Sequence, residues 1–160
     1  MTLTIISLVL LTAYIMYAVK VCGIPYSVSD TYYQLEKRNH PKWLFQFAMI
    51  VPAMLLLPAW LDCSPEQIQF LTFLSCGGLM FVGAAPCFKL ELDGKIHYTA
   101  TVVCGLSAML WTCIVGFWYI PLFCFIVAGY MIYSSFDKPM FWIEIAAFVS
   151  TYISILAECL

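Results

Sequence analysis

Three ionisable side chains could do chemistry in this chain: Asp30, His97 and Glu144. Two carboxylates and an imidazole can exchange protons near neutral pH, which suits acid–base work. The same three groups could in principle ligate a divalent metal. They are scattered rather than spaced as a motif, so the metal reading is the weaker one and no cofactor is expected. The chain has only two histidines, which rules out a three-histidine centre, and it has no Cys-x-x-Cys pair.

Glu144 draws attention because of its apolar surroundings, Met140-Phe141-Trp142-Ile143 before it and Ile145-Ala146-Ala147-Phe148 after it. An acid within an apolar span is costly and faces a partner or a water-filled cavity. It lies roughly 7.5 Å inside the span boundary at helical rise. The bland alternative is a side chain that reaches back to the interface or pairs with a nearby lysine. His97, Asp30, Tyr32-Tyr33, Gln46, Lys89 and Lys95 are placed at the same end by the order of segments. The expectation is one polar pocket there, holding Asp30, His97 and Glu144.

The elements that must position these groups follow from composition. Hydrophobic residues make up 64% of the chain and charged residues 10%. A soluble domain carries about a quarter charged residues, so little is left to coat a water-facing domain. The expected fold is all-α, a polytopic transmembrane helix bundle forming one domain over residues 1–160 with no soluble domain. Six spans are expected, over residues 2–21, 43–61, 67–88, 96–117, 121–136 and 140–158. A net charge of −2 gives no footing for nucleic acid. The first segment lacks a basic leader and a small-residue cleavage site, so it is expected to stay as a span.

The seven basic residues orient the bundle: Lys20, Lys37, Arg38, Lys42, Lys89, Lys95 and Lys138 all fall in or beside alternate connections. Lysine and arginine favour cytoplasmic loops. Residues 22–42, 89–95 and 137–139 are therefore expected inside and both termini outside, with a bacterial inner membrane as the expected location.

Turn chemistry marks the boundaries. Asp62-Cys63-Ser64-Pro65-Glu66 reads as an outer turn, with Ser64 as N-cap and Pro65 at the first helical position. Asp93-Gly94 reads as the tip of an inner turn. Trp118-Tyr119-Ile120-Pro121 carries no charge and reads as a hairpin in the interfacial aromatic belt, with Pro121 opening the fifth span. The rival reading of residues 96–136, one long span with a re-entrant piece, is disfavoured by length.

Packing in lipid relies on small and polar residues. Glu144, Ala147, Thr151, Ser154 and Glu158 recur at helical spacing and form an inward stripe, with Phe148 and Ile153 expected toward lipid. Ser75-Cys76-Gly77-Gly78, Gly83-Ala84-Ala85, Cys104-Gly105 and Ser107-Ala108 would let backbones approach. Six of the eight cysteines lie in or beside apolar runs and read as small hydrophobes. Cys63 and Cys159 fall at the outer surface, where an oxidising compartment would allow a bridge.

Ile24-Pro25-Tyr26-Ser27-Val28-Ser29-Asp30-Thr31 resembles the Pro-Tyr-x-Ser-Asp-Thr-type stretch after the first span of the DRAM-like family of six-span membrane proteins. Ile96-His97-Tyr98-Thr99-Ala100 is similar to the short His-then-small motif before that family's fourth helix. The resemblance covers these two patches. It implies a lipid-associated accessory or remodelling role and singles out Ser29, Asp30 and His97. The orientation departs from the family's, whose first loop generally faces the lumen or exterior. Independently, Pro25 followed by Ser and Asp reads as a turn and a helix N-cap, with a short interfacial helix over Tyr32–Arg38.

The leading functional expectation is a lipid-associated, non-enzymatic accessory or structural membrane component. Its partners would be membrane lipids and either a second copy of the chain or another membrane protein. A small oligomeric channel or transporter is the first alternative, and an intramembrane lipid-modifying enzyme the second. Ser29, Asp30, His97 and Glu144 form the expected binding cluster.

Overall fold

Long apolar runs satisfy their own backbone only as helices when no water is at hand, and helices are what this chain forms. The computed structural model describes residues 1–87, 90–134 and 138–160, the side chains of 90–93 excepted. Its helices are α1 (Thr2–Cys22), α2 (Thr31–Lys37), α3 (Trp43–Asp62), α4 (Gln69–Ala84), α5 (Leu90–Ile114), α6 (Tyr119–Tyr133) and α7 (Pro139–Glu158). Short 3₁₀ turns at Glu66–Ile68 and Ala85–Cys87 extend α4 at both ends. No strand occurs among the described residues. Among the described residues, five stretches are long and apolar enough to cross a membrane: Thr2–Cys22, Trp43–Asp62, Glu66–Cys87, Gly94–Ile114 and Pro139–Glu158. α6 is apolar but shorter, at 15 residues.

The burial pattern is that of a protein built for lipid. Ser7, Thr72, Thr112, Ser150 and Ser154 are 0% exposed, while Val9, Phe123 and Ile126 are 59%, 67% and 61% exposed. Small polar groups pack inward, and large apolar side chains coat the outside. A water-soluble bundle sorts them the other way.

α3 packs between α1 and α4, α4 packs on α5, and α7 closes against α5 and α1, while α6 lies chiefly against α7. Close approach is built in by glycine. A Cβ at Gly78 would sit 2.8 Å from the Ala100 carbonyl on α5, and one at Gly83 would sit 2.8 Å from Met49 Cβ on α3. Hydroxyls tie the helices further. Ser7 on α1 donates to the carbonyl of Pro52 at 2.8 Å and shares a hydrogen bond with Tyr152 on α7 at 2.6 Å.

Three contacts fix which ends lie together. The α7 amide of Phe141 donates to the carbonyl of Tyr26, in the connection after α1. The α5 indole of Trp111 donates to Ser64, in the connection after α3, at 2.9 Å. The hydroxyl of Tyr17, near the end of α1, hydrogen-bonds His40 Nδ1, just before α3, at 2.7 Å. α3, α5 and α7 therefore run the same way, and α6 runs back between α5 and α7.

Several boundaries differ from those expected. Asp93 and Gly94 do not form a turn tip, because α5 already begins at Leu90. The helix cost of one glycine, about 1 kcal/mol, is small beside the backbone hydrogen bonds and packing that a longer helix gains. α5 ends at Ile114 rather than 117, because Gly116 adopts φ +94°. Gly116 N–H then donates to the Cys113 carbonyl and Phe117 N–H to the Thr112 carbonyl, the paired bonds of a Schellman stop. α6 accordingly starts at Tyr119, with buried Pro121 inside its first turn.

Ser64 caps nothing ahead of it. Its hydroxyl turns back to the Trp60 carbonyl, left without a helical partner at the end of α3, and contacts Thr72 Oγ1 at 3.2 Å. Asp30 does occupy the N-cap position of α2, without a side-chain capping bond. Lys89 and Asp137, from the expected inner turns, and Phe88 and Phe136, the expected ends of the third and fifth spans, lie outside the described residues.

Candidate functional site

The connection between α1 and α2 is folded tightly enough to serve as a floor. Ser27 Oγ accepts the Asp30 amide at 3.1 Å, and Thr31 Oγ1 donates to the Val28 carbonyl while hydrogen-bonding Tyr14 of α1. These bonds hold Val28 and Ser29 beneath the bundle. The Val28 amide donates to Oε2 of Glu144 at 2.5 Å. A carboxylate near the start of a span thus finds a fixed backbone donor and need not snorkel away.

Above this floor runs a narrow cavity of about 110 Å³, between α3, α4, α5 and α7. At the end next to the floor, Ser29, His97 and Glu144 stand in the wall. Its middle is apolar, lined by residues such as Met49, Leu79 and Phe148. The opposite end reaches Trp60 and Met109. His97 and Met109 lie roughly 18 Å apart along α5 at helical rise, so the space is long and thin.

Three of the four expected site residues are therefore brought to one place. Asp30 is not among the residues lining the cavity. Its Oδ2 instead accepts the Gln34 side-chain amide at 3.3 Å, along α2. An N-cap residue of an interfacial helix is held by that helix, and its carboxylate stays beside its own first turn. Other expected members of the cluster are also engaged elsewhere. Gln46 Nε2 contacts Cys87 Sγ at 2.9 Å, and Lys95 lines a groove between α4 and α5. Among the described residues, no three His, Cys, Asp or Glu side chains gather into a metal-holding group.

The α7 stripe holds in part. Glu144, Ala147 and Thr151 line the cavity, and Ser154 is fully buried. Phe148, expected toward lipid, lines the cavity as well. The buried face of α7 is wider than one row, because this helix is covered by α5 and α1 on one side and α6 on the other. Ile153 is exposed, as expected.

Sequence reasoning missed several wall residues. Tyr152 adjoins the predicted stripe, and its hydroxyl is held by Ser7. Ser75 and Cys104 face each other across α4 and α5 at 3.9 Å. Both belong to runs read first as close packing, with the lining of a cavity or pore as the sharper alternative. Trp60 is 1% exposed and stacks edge-on against Trp111, with ring centroids 5.2 Å apart. Its indole N–H is buried with no hydrogen-bond partner among the described residues. A tryptophan in an apolar run carries no sequence signal for such a place.

Comparison with known proteins found no matching family model, no matching curated protein and no matching solved structure.

Proposed function

We propose that this chain is a six-span membrane protein that holds one slim apolar chain of a lipid in its central cavity, as a non-enzymatic accessory component. The shape and chemistry of the cavity carry this reading. It is long, thin and lined mainly by apolar side chains, with the ionisable His97 and Glu144 at one end, hydroxyls of Ser75, Thr151 and Tyr152 further along, and a buried indole donor near the other end. Lipid chains have that shape, with an apolar body and a polar end. Transfer of each CH₂ from water to such surroundings is worth about 0.8 kcal/mol. In a membrane the chain leaves other lipid tails, so selectivity would come from fit and from the polar end.

The six-span topology belongs to the same reading. α6 covers roughly 22 Å against about 30 Å of hydrocarbon, a mismatch that local thinning and flanking aromatic residues accommodate. The basic residues then put the floor and the polar end on the cytoplasmic side, with both termini outside and a bacterial inner membrane as the setting. Association with a second copy or another membrane protein would use the exposed face of α6, because Gly78 and Gly83 are engaged within the chain.

A channel is the rival reading, and the apolar middle of the cavity weighs against a continuous water path. The test is mass spectrometry of the purified full chain in detergent. The reading expects a retained lipid species that is lost on Gly105→Leu. Gly105 lines the cavity, and a Cβ there meets nothing within 4 Å. A wild-type protein that retains no lipid, while vesicles containing it conduct ions, would favour the channel.

A further inference from the structure

Two cysteines from opposite ends of the sequence meet at the outer end of the bundle. Cys63 immediately follows α3 and Cys159 immediately follows α7. Both are half-buried free thiols packed against the hydrophobic core, and they lie close enough to influence each other. The Cys63 thiol also contacts the carbonyls of Ala59 and Trp60, at 3.4 and 3.6 Å, so its side chain is held in place. Trp60 and Tyr152, which line the cavity, belong to the two helices that end here.

We propose that Cys63 and Cys159 form a reversible disulfide that ties the outer ends of α3 and α7 together. Two S–H bonds break and one S–S bond forms, releasing two protons and two electrons. The electrons and protons pass to the disulfide of an extracytoplasmic thiol–disulfide oxidoreductase, whose S–S bond breaks and which leaves as a dithiol. Burial and the neighbouring Cys159 push the Cys63 thiol up to about 12. A second close pair, Cys76 and Cys104, lines the cavity inside the bundle, away from any soluble oxidant, and stays reduced.

The proposal shares the topology given above but does not depend on what the cavity holds. Membranes carrying the full chain are blocked with N-ethylmaleimide, then denatured, reduced and labelled with a polyethylene-glycol maleimide. Two of the eight cysteines should take the second label in the wild type, and none in Cys63→Ser or Cys159→Ser. No second label in the wild type, or a label that persists in either variant, overturns the proposal. Peptide mapping of the unreduced wild type gives the same decision without relying on a variant that folds. A 63–159 linkage supports the bridge, and unlinked peptides overturn it.

Discussion

The backbone N–H of Val28 donates to Oε2 of Glu144 at 2.5 Å, across 116 residues of sequence. One bond thus fixes the loop after α1 beneath α7 and gives the acid in the span its partner. It also makes Glu144 part of the floor of the cavity rather than an isolated charge.

Glu144→Ala should be more damaging than Glu144→Gln. Alanine leaves the Val28 amide without an acceptor, a loss of about 1–3 kcal/mol for a buried group. Glutamine keeps an oxygen in reach. Thermal unfolding of both variants in one detergent checks this. Equal melting temperatures for the two would show that the Val28 bond contributes nothing.

The glycines of α4 should separate sharply. At Gly78 a new Cβ would lie 2.8 Å from the Ala100 carbonyl and 2.9 Å from the Cys104 Cβ, and backbone cannot swing aside. Gly78→Ala should therefore destabilise by about 1–3 kcal/mol, the range for overpacking. Gly77, its neighbour, meets nothing within 4 Å. Gly77→Ala should be neutral or gain roughly 0.5–1 kcal/mol from helix propensity. The order of the two melting temperatures is the measurement, and the reverse order would mean α4 is rotated.

Ser64 and Trp111 should behave as a coupled pair. The Trp111 indole donates to Ser64 Oγ at 2.9 Å, and both residues are buried. Ser64→Ala strands that donor, whereas Trp111→Phe removes it at the expense of ring volume. In the double variant the loss of Ser64 should cost less than in the wild-type background, by about 0.5–3 kcal/mol. Strict additivity in a double-mutant cycle would argue against the contact.

Reporter fusions at residues 1 and 160 should both read as external, since every lysine and arginine falls with the alternate connections. A cytoplasm-only reporter active at either end would reverse the assignment. The oxidising compartment invoked for Cys63 and Cys159 would be lost with it.

Much of the helical layout was legible because composition and apolar run length are local properties. Thr2–Cys22, Trp43–Asp62 and Pro139–Glu158 follow from them almost to the residue. Connections were harder. Asp93-Gly94 carries a turn signature yet lies in α5, where helix continuity outweighs a weak local preference. Gly116 carries the stop that ends α5, and it passed unremarked because a single glycine in an apolar run has several possible meanings.

For the site, sequence alone picked out His97 and Glu144 as ionisable groups at one end of the bundle, and the loop resemblance added Ser29. Depth in a span is readable from residue count, so a shared end was within reach. Direction around a helix axis was not. That Asp30 turns along α2 and Phe148 lines the cavity follows from which helices cover which faces. The Val28 amide is invisible to sequence reading because every residue but proline carries one. Only the folding of the loop against α7 decides that this particular amide meets Glu144, and only the packing of four helices leaves a cavity between them.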